Sequence, residues 1–314
     1  MRVLLLGASG FIGSHIRTVL EADNIVDVIG LTRRPANETQ TLRGTFVGGD
    51  VTDVGSLRRA MAGMDIAINA SSYTGKSRDL ADSVNHRGTL NLVSACKTLG
   101  VPLIQISTTA IYGSGPHRNL TVGGAEIRPE SVVSRARALA DDAVLQSGGT
   151  VIRPHLIYGP GDRWFIPALA KIFGHLKTRI DGAENLLSVI DAHQLGQLVA
   201  GLARVGYSHG GAFHAALPAP VTIGQILRCI NDRIVPLELD SSVSREWAEP
   251  IMEALGLTRH QINLIAEDHW YNSEAIWEIA RVVPVTVGIS ETTASWYKKY
   301  LSFSHLDWAT DKKP

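Results

Sequence analysis

The hydrophobic residues at the start of the chain form one short run followed by an amphipathic stretch. The run from Val3 to Leu6 is too short for a helix and ends at Gly7, which predicts a buried parallel strand over 3–6. From Phe11 to Leu20 the apolar residues recur at helical spacing, which predicts an amphipathic helix. The start of the chain therefore predicts a strand, a tight turn and a helix in that order.

The same alternation of short apolar runs and amphipathic stretches continues along the first half of the chain. Strands are predicted over 26–32, 45–51, 66–72, 103–107 and 150–153, with helices over 80–99 and 131–146 and a polar loop over 113–130. Beyond Pro154 the pattern weakens, and it predicts helices around 165–173, 192–205 and 223–234 and a strand over 212–214. Regular alternation of this kind indicates an α/β protein with a Rossmann-like, doubly wound parallel sheet.

The turn after the first strand contains glycines at three-residue spacing, which is typical of a dinucleotide-binding fingerprint when a strand precedes it and a helix follows. Glycine lets the backbone approach a pyrophosphate, and the helix N-terminus directs free N–H groups towards it. The alternative is a turn that only packs the helix on the strand. We assign cofactor contact to the residues of this turn, Gly7, Ser9, Gly10, Phe11, Ile12 and Gly13.

The second predicted strand ends at Arg33 and Arg34, and these residues bear on the choice of cofactor. An acidic residue about twenty positions after the glycines binds the ribose 2′-hydroxyl of NAD, whereas a cation there accommodates the 2′-phosphate of NADP. Counting on from Gly13 reaches Arg33, so we predict NADPH/NADP+. The alternative is two solvated arginines on a loop.

Further cofactor contacts are predicted where the third and fourth strands end, and a ligand-binding edge where the fifth strand ends. Asp50, followed by Val51, can place its carboxylate against the adenine amino group, or it can cap the next helix. The small residues Ala70, Ser71 and Ser72 suit a backbone pressed against a cofactor. The fifth strand ends in the hydroxyls of residues 107–109, at the edge of the sheet where ligands bind.

The bulk composition excludes several classes of partner. The 314 residues have a formal net charge of zero and a pI near 7.2, so neither nucleic acid nor an anionic membrane surface is a predicted partner. No apolar run approaches bilayer length. Cys96 and Cys229 fall inside helical patterns, which favours buried thiols over a disulfide or a metal site. We expect a reduced, cytoplasmic protein without a bound metal.

Taken together, these motifs resemble those of the extended short-chain dehydrogenases/reductases, the NAD-dependent epimerase/dehydratase-like proteins. The resemblance extends over nearly the whole chain, and the segments that carry it are 7–13, 49–53, 85–92, 107–113 and 153–161. The resemblance implies a nicotinamide cofactor, with Pro154 and Ile157 in the backbone beside the nicotinamide and Thr108 as the family's catalytic Ser/Thr. It divides the chain into a nucleotide-binding domain, 1–158 with 188–215 returning to it, and a smaller, mostly helical substrate lobe, 159–187 and 216–314.

The family's catalytic tyrosine and the lysine four residues later are missing. In the family's frame after Pro129, Val133 takes the place of the tyrosine, Arg137 that of the lysine and Asp141 that of the following acid, while Ser134 is one residue out of register. Valine donates no proton, so the usual mechanism is excluded. Arg137 is implied to bind the ribose hydroxyls, and the alternative is a solvated helix arginine.

Several residues are candidates to replace the lost acid or to bind substrate. His155 is the best titratable candidate by its position beside the nicotinamide, although packing or substrate binding is an equal alternative. Tyr73, Tyr112 and Trp164 are candidate substrate contacts. Tyr112 also belongs to a Tyr-Gly pair of the kind common in the family, which favours a structural role for it as the alternative. All six tryptophans fall in the second half of the chain, which predicts an aromatic-lined lobe above the cofactor cleft and favours a large, flat or apolar substrate. The alternative for each single tryptophan is a place in the core.

These features predict an NADPH-dependent ketoreductase acting on a polycyclic aromatic ketone whose own phenol assists the reaction. Tyrosine-less extended members of the family occur among tailoring enzymes of aromatic polyketides. Two alternatives remain, a non-catalytic NADP(H)-binding sensor and a sugar-nucleotide epimerase or dehydratase. The helices at 80–99 and 131–146 correspond to the family's dimer face, but charges at Arg135, Asp141 and Asp142 leave both a monomer and a homodimer open.

Overall fold

The fold is built on a seven-stranded parallel sheet. A computed structural model describes residues 1–33, 45–206 and 210–303. The strands of this part of the chain are β1 (Arg2–Leu6), β2 (Asp27–Thr32), β3 (Thr45–Gly48), β4 (Ile66–Asn69), β5 (Leu103–Ile106), β6 (His117–Leu120), β7 (Thr150–Pro154), β8 (Leu156–Tyr158), β9 (Arg179–Ile180), β10 (Leu186–Leu187), β11 (Val189–Asp191), β12 (Gly211–Ala215), β13 (Val221–Thr222), β14 (Ser242–Val243) and β15 (His269–Tyr271).

Helices cover both faces of the sheet and make up most of the chain beyond it. They are α1 (Phe11–Glu21), α2 (Val54–Met61), α3 (Arg78–Leu80), α4 (Gly88–Leu99), α5 (Val132–Gln146), α6 (Phe165–Leu176), α7 (Ala192–Arg204), α8 (Ile223–Arg233), α9 (Arg245–Ala254), α10 (Arg259–Ala266), α11 (Glu274–Ala280) and α12 (Glu291–Phe303). A π-helical stretch, Ala81–Arg87, joins α3 to α4 without a break.

The strand order of the large sheet is β12-β7-β5-β4-β1-β2-β3, so the direction of winding reverses between β1 and β4. In an open parallel sheet, ligands bind outside the carboxyl ends of the strands at this reversal. The predicted α/β, doubly wound parallel fold is therefore confirmed. The apolar run that predicted β1 lies at the centre, where Val3 to Leu6 are at most 1% exposed.

Close backbone packing fixes the turn between β1 and α1. Gly7 has a φ of +74°, and a Cβ added there would lie 2.7 Å from the carbonyl of Ala70. A Cβ on Gly13 would lie 2.1 Å from the carbonyl oxygen of Gly7. These two glycines therefore allow the helix to sit directly on the strand and the β1 turn to touch the end of β4.

Two predicted elements differ from the observed ones, the first for a local reason and the second because of a long-range contact. The strand predicted to Ser72 ends at Asn69, because the Asn69 side chain accepts hydrogen bonds from the backbone N–H and the hydroxyl of Ser71 and so turns the chain. The predicted loop 113–130 contains β6. This strand pairs in parallel with β15, about 150 residues away, a contact that local sequence does not encode.

A buried carboxylate joins the end of the chain to the sheet. Asp162 accepts hydrogen bonds from the backbone N–H groups of Trp164, Phe165 and Ile166 at the start of α6. It also accepts one from the hydroxyl of Tyr297 on α12, at 2.8 Å, and that hydroxyl accepts one from the N–H of Gly159. The contact holds α12 against the segment that leaves β8.

The predicted charge on the α5 face needs one correction. Asp141 is only 2% exposed and forms an inward ion pair with Arg153, 2.9 Å between Oδ2 and Nε, so it does not charge the helix surface. Four leucines on α3, α4 and α5 are instead 41–53% exposed, namely Leu80, Leu90, Leu99 and Leu139. The surface of these helices is therefore more apolar than the sequence indicated.

We predict that Gly13→Ala lowers the free energy of unfolding by about 1–3 kcal/mol, because the new methyl group must displace the backbone of Gly7. Urea denaturation measures the change. Gly48→Ala is the matched control, since a Cβ at Gly48 meets no atom within 4 Å, and its stability should stay the same or rise. Wild-type stability for Gly13→Ala would contradict the packing argument.

Candidate functional site

The N-terminus of α1 provides an unobstructed anion site at the reversal of the sheet. Gly10 is the N-cap of α1, no side chain caps the helix there, and a Cβ on Gly10 would contact only the carbonyl oxygen of Gly7 within 4 Å. Ser9 and Gly10 are exposed, while Phe11 and Ile12 are half-buried. Open backbone N–H groups at a helix N-terminus bind phosphate, so this turn fits a dinucleotide pyrophosphate.

The residues predicted at the adenosine end lie along the ends of β2 and β3. Arg33 follows β2 directly and is exposed, whereas Arg34 lies outside the described residues. Asp50 accepts hydrogen bonds from the N–H and hydroxyl of Thr52, both at 2.8 Å. The alternative role for Asp50 is wrong, because Asp53 caps α2 by accepting a bond from the N–H of Gly55. Val51 is buried.

The chain after β4 is held in place by two asparagines. Asn69 is buried, donates to the Gln105 side chain on β5 and holds Ser71. Asn85, in the π-helical stretch, accepts from the N–H of Tyr73 and donates to its carbonyl, both at 2.8 Å. The Tyr73 hydroxyl accepts from the N–H of Ser77, so Tyr73 closes its own loop and is half-buried.

Arg137 is bound by the protein at the position where the family has its lysine. Its Nη2 and Nε donate to the hydroxyl of Ser72, at 2.6 and 3.2 Å, and its Nη1 donates to the carbonyl of Ser107 at 3.3 Å. Burial lowers the pKa of Arg137. The arginine is therefore not a solvated helix residue, and it links the ends of β4 and β5.

No phenol lies on α5 at the position of the lost tyrosine. Val133 is half-buried there, and the adjacent Ser134 forms a reciprocal capping box with Ser131 at the start of the helix. Both serine hydroxyls are thereby committed to the helix N-terminus. Nothing on the first turn of α5 can donate a proton to a substrate.

The two threonines after β5 play different roles. Thr108 is half-buried and accepts a hydrogen bond from the N–H of Ala110, which caps a short 3₁₀ turn and leaves its own O–H proton as a donor. Thr109 is buried, and its hydroxyl lies 2.8 Å from Nδ1 of His155. The ends of β5 and β7 are joined by this contact.

His155 is held as a neutral imidazole. Burial, together with the neighbouring histidines His269, His117 and His214, holds the pKa of His155 well below its usual value. Its Nδ1 contacts Thr109, and its Nε2 is buried without a hydrogen-bond partner among the described residues. The expectation that His155 titrates near neutral pH is therefore wrong, because the charged form is disfavoured by burial.

Tyr112 belongs to a buried polar network and not to a substrate surface. It is 3% exposed, its hydroxyl accepts from Nη1 of Arg153 at 3.1 Å, and it lies 2.8 Å from Nε2 of His214. Arg153 in turn pairs with Asp141. Because every polar atom of Tyr112 is satisfied inside the protein, the assignment of Tyr112 as a substrate contact is corrected.

A second group of aromatic side chains lies against this network and comes from β6 and β15. The Tyr271 hydroxyl is 3.1 Å from Nδ1 of His117, and the Tyr271 ring centre is 5.0 Å from that of His155. Nδ1 of His269 is 3.3 Å from Nδ1 of His117. Sequence reasoning missed Tyr271 and His269, because only the pairing of β6 with β15 brings them to the ends of β5 and β7.

The tryptophans are distributed over separate elements. Trp164 precedes α6, is half-buried and stacks beside Phe165. Trp277 is core and donates to the carbonyl of Ala216, while Trp247 is 53% exposed. The ring contacts of the described residues join no two tryptophans, so the predicted common aromatic lining is not formed in this part of the chain.

Residues 1–33, 45–206 and 210–303 contain no group of three or more histidine, cysteine, aspartate and glutamate side chains that could hold a metal ion. No helix in the same ranges has both the length and the apolar character needed to cross a bilayer.

Comparison with known proteins gives one family match and a set of distant relatives. The model of the NAD dependent epimerase/dehydratase family matches residues 3–194. A 2-alkyl-3-oxoalkanoate reductase of Stenotrophomonas maltophilia (strain K279a) is 25% identical over 307 residues, which cover 87% of this chain and 92% of that protein.

A second relative is a 4-hydroxy-2-methyl-3-oxo-4-farnesyl-3,4-dihydroquinoline-1-oxide ketoreductase of Stigmatella aurantiaca, 28% identical over 203 residues and 60% of each chain. Among solved structures, the Bordetella bronchiseptica enzyme WbmH in complex with NAD+ superposes with a TM-score of 0.72. It is 16% identical, and the superposition covers 95% of this chain and 98% of that one, which supports the fold alone.

We predict that the protein loses stability as pH falls from 7 to 5. Burial lowers the pKa of both His214 and His269 to about 4, so between about pH 6.5 and pH 4 the unfolded chain binds more protons than the folded one. Between pH 7 and pH 5, each of the two histidines then removes about 2 kcal/mol of the free energy of unfolding.

Urea denaturation at a series of pH values measures the slope. His214→Gln, which keeps a hydrogen-bonding side chain without a titratable group, should flatten the slope relative to the wild type. A free energy of unfolding that stays constant between pH 7 and pH 5 would show that these histidines are not buried in the neutral form.

Proposed function

The chain belongs to the NAD dependent epimerase/dehydratase family, and we propose that within it the chain is an NADPH-dependent ketoreductase of a polycyclic aromatic ketone. This family membership identifies the chain as an oxidoreductase of the extended short-chain dehydrogenase/reductase family. The observation that carries the finer proposal is the combination of an open dinucleotide turn at Gly10 with Val133 in place of the tyrosine and Arg137 bound to Ser72 and Ser107. The cofactor site is kept, and the usual acid is not.

The choice of NADPH rests on Arg33 and on its neighbour Arg34. A cation directly after β2 pairs with a 2′-phosphate, whereas NAD binding favours a carboxylate there. The pyrophosphate is assigned to residues 7–13, the adenine to Asp50 and Val51, and the nicotinamide end to Ala70, Ser71, Ser72, Pro154 and Ile157. Because Arg137 already binds Ser72, it reaches the ribose as part of that pair.

The chemistry requires the protein to orient a ketone and stabilise the oxyanion that forms. NADPH, when bound, supplies the hydride. Thr108 is the proposed donor to the oxyanion, since its hydroxyl accepts from Ala110 and keeps its proton available. Loss of one oxyanion donor costs about 3–4 kcal/mol, so a second donor must replace the tyrosine. A substrate phenol beside the carbonyl provides one internally.

The substrate class is inferred from relatives and from the site. Two relatives carry names that describe reductases of ketone groups, which supports ketone reduction here. The sequence resembles the simocyclinone C-7 ketoreductase of angucyclinone biosynthesis, so we propose an angucyclinone-type polyketide and a role in antibiotic biosynthesis. Tyr73 and Trp164, both half-buried, are the proposed contacts, with the substrate lobe formed by 159–187 and 216–314.

One alternative is favoured by a specific observation. The absence of a phenol at Val133 also fits a protein that binds NADP(H) without turnover, as a sensor. A sugar-nucleotide epimerase or dehydratase ranks below both, because those reactions oxidise an alcohol through the tyrosine that this chain lacks.

We place the enzyme in the cytoplasm, as a monomer or a homodimer. Burial raises the pKa of the Cys96 thiol to about 12, which fits an unreactive, reduced cysteine. The exposed Leu90 and Leu139 on α4 and α5 favour the homodimer.

We expect Arg33→Ala to weaken NADPH binding about tenfold or more while NADH binding changes little, because only NADPH carries the 2′-phosphate. Fluorescence titration of the reduced cofactor measures both dissociation constants. Arg58→Ala, an exposed arginine on α2, is the control and should leave both unchanged. Equal weakening of the two cofactors by Arg33→Ala would argue against the assignment.

Substrate assistance predicts a difference between two bicyclic aryl ketones. The peri-hydroxy derivative of α-tetralone should be reduced about 100-fold faster than the peri-methoxy derivative, since only the first donates a hydrogen bond to the developing oxyanion. NADPH absorbance measures the rates. Equal rates would remove the phenol's role, and tight NADPH binding without oxidation in a broad ketone panel would support the sensor.

A further inference from the structure

Two hydrogen bonds from one guanidinium determine how the Ser72 hydroxyl can act. The hydroxyl oxygen accepts from Nη2 of Arg137 at 2.6 Å and from Nε of the same side chain at 3.2 Å. Because a guanidinium has donors and no acceptor, Ser72 can only accept in this pair. Both lone pairs of the hydroxyl are used in this way, so the Ser72 proton is directed to another group.

The protein groups around the Ser72 proton hold it weakly. The carbonyl oxygen of Tyr73 and Oδ1 of Asn85 each lie 3.2 Å from the Ser72 hydroxyl, beyond the usual O–H···O range of about 2.5–3.0 Å. Both acceptors already have a closer donor, since the side-chain amide of Asn85 and the backbone of Tyr73 bind each other at 2.8 Å in both directions. The Ser72 proton can therefore turn to a ligand with little loss.

The sheet places Ser72 at the same edge as the proposed oxyanion donor Thr108. Asn69 on β4 pairs with Gln105 on β5, and Ser72 and Thr108 each lie three positions beyond these paired residues. The guanidinium that binds Ser72 also donates to the carbonyl of Ser107, the residue before Thr108. Ser72 and Thr108 are both half-buried. The two hydroxyl groups are thus held at neighbouring strand ends, where the substrate is expected.

The charge beside Ser72 favours the loss of its proton. A cation stabilises a neighbouring anion, and both N–H bonds from Arg137 point at the oxygen that would carry the negative charge. In the described part of the chain no carboxylate forms an ion pair with Arg137. Asp141, which interacts with Arg137 at longer range, is paired with Arg153. The positive charge of Arg137 is therefore directed mainly at Ser72.

We propose that Ser72, polarised by Arg137, is the protein's own donor to the oxygen of the reduced ketone and takes the place of the missing tyrosine hydroxyl. The inference rests on the proposed ketoreductase function and adds the residue that protonates the product. Ser72 touches the reacting oxygen, whereas Arg137 acts through Ser72. The pair keeps the combination of a hydroxyl acid and a fixed cation, with a serine after β4 in place of a tyrosine on α5.

The proton transfer needs no further reactant. As the carbonyl carbon takes up hydride, the electron pair of the C=O π bond moves to the oxygen. The O–H bond of Ser72 breaks and an O–H bond forms on that oxygen. The Ser72 alkoxide, held by the two N–H bonds of Arg137, then takes one proton from solvent, which is the proton that ketone reduction consumes. Arg137 stays protonated throughout.

The first test compares Ser72→Ala with the wild type on the two substituted α-tetralones. With the peri-methoxy ketone only Ser72 and Thr108 donate to the oxyanion, so kcat should fall about 100-fold. With the peri-hydroxy ketone the phenol donates as well, and the fall should be only about tenfold. Ser72→Thr keeps the hydroxyl group and should retain most of the wild-type rate on both ketones.

Ser147→Ala is the matched control for the loss of a serine hydroxyl. Ser147 is also half-buried, and its hydroxyl donates to the carbonyl of Val144 at the end of α5. This variant should leave kcat for both ketones unchanged, and thermal unfolding checks that all variants fold. A distorted site in Ser72→Ala would slow both ketones by the same factor. Equal factors, or a wild-type kcat, would overturn the role of Ser72.

The second test asks whether Arg137 acts through Ser72. On the peri-methoxy ketone, Arg137→Gln should lower kcat by about the same factor as Ser72→Ala, and the double variant should be no slower than Ser72→Ala alone. Arg137→Lys keeps a cation and should be at least about tenfold faster than Arg137→Gln. Two factors that multiply in the double variant would contradict the coupling, because they would show that Arg137 acts elsewhere.

A carboxylate that mimics the oxyanion tests the donor without turnover. In the presence of NADP+, 1-naphthoate should bind Ser72→Ala about tenfold more weakly than the wild type, because it loses the hydrogen bond from Ser72. Calorimetry measures the affinity, and Ser147→Ala should match the wild type. Equal affinity for Ser72→Ala would overturn the donor. A wild-type protein that binds 1-naphthoate through Ser72 but reduces no aryl ketone would instead overturn the proposed function.

Discussion

The contact between the backbone of Gly7 and that of Gly13 sets the geometry on which the remaining site depends. The two residues approach so closely that a methyl group on Gly13 would overlap a carbonyl oxygen, and Gly7 also meets Ala70 at the end of β4. The turn, the helix N-terminus and the carboxyl end of β4 are thereby fixed together. This contact positions the residues after β4. Through Ser72 it also positions Arg137 on α5.

The site differs from its family on the side away from the glycine turn, where the catalytic tyrosine is missing. The polar groups on that side are arranged differently. Arg137 binds Ser72 and the backbone of β5, so it strengthens the sheet edge and acts on no neighbouring phenol. Beyond it, the ends of β5, β7 and β12 carry Thr109, His155 and His214, which meet side chains from β6 and β15. The described residues thus hold a buried group of histidines and tyrosines at these strand ends and no phenol at the start of α5.

Local sequence predicted the parts of the fold that local physics determines. The apolar run of β1, the glycine turn and the amphipathic helices gave the fold class, because periodicity and chain reversal are encoded over a few residues. A structural role for Tyr112 was an alternative from its Tyr-Gly pair. Its partners Arg153 and His214, and the inward ion pair of Asp141, were not predictable, since they depend on distant strands. The pairing of β6 with β15, and with it Tyr271, depends on a contact across about 150 residues.

The link between Asp162 and Tyr297 has a consequence for synthesis on the ribosome. Three backbone N–H groups of α6 depend on a carboxylate whose fourth partner lies 135 residues further along the chain. While the chain is still being made, Asp162 is therefore in place without the phenol that completes its burial. The nascent sheet can assemble, but the segment after β8 reaches its final packing only after translation has passed α12.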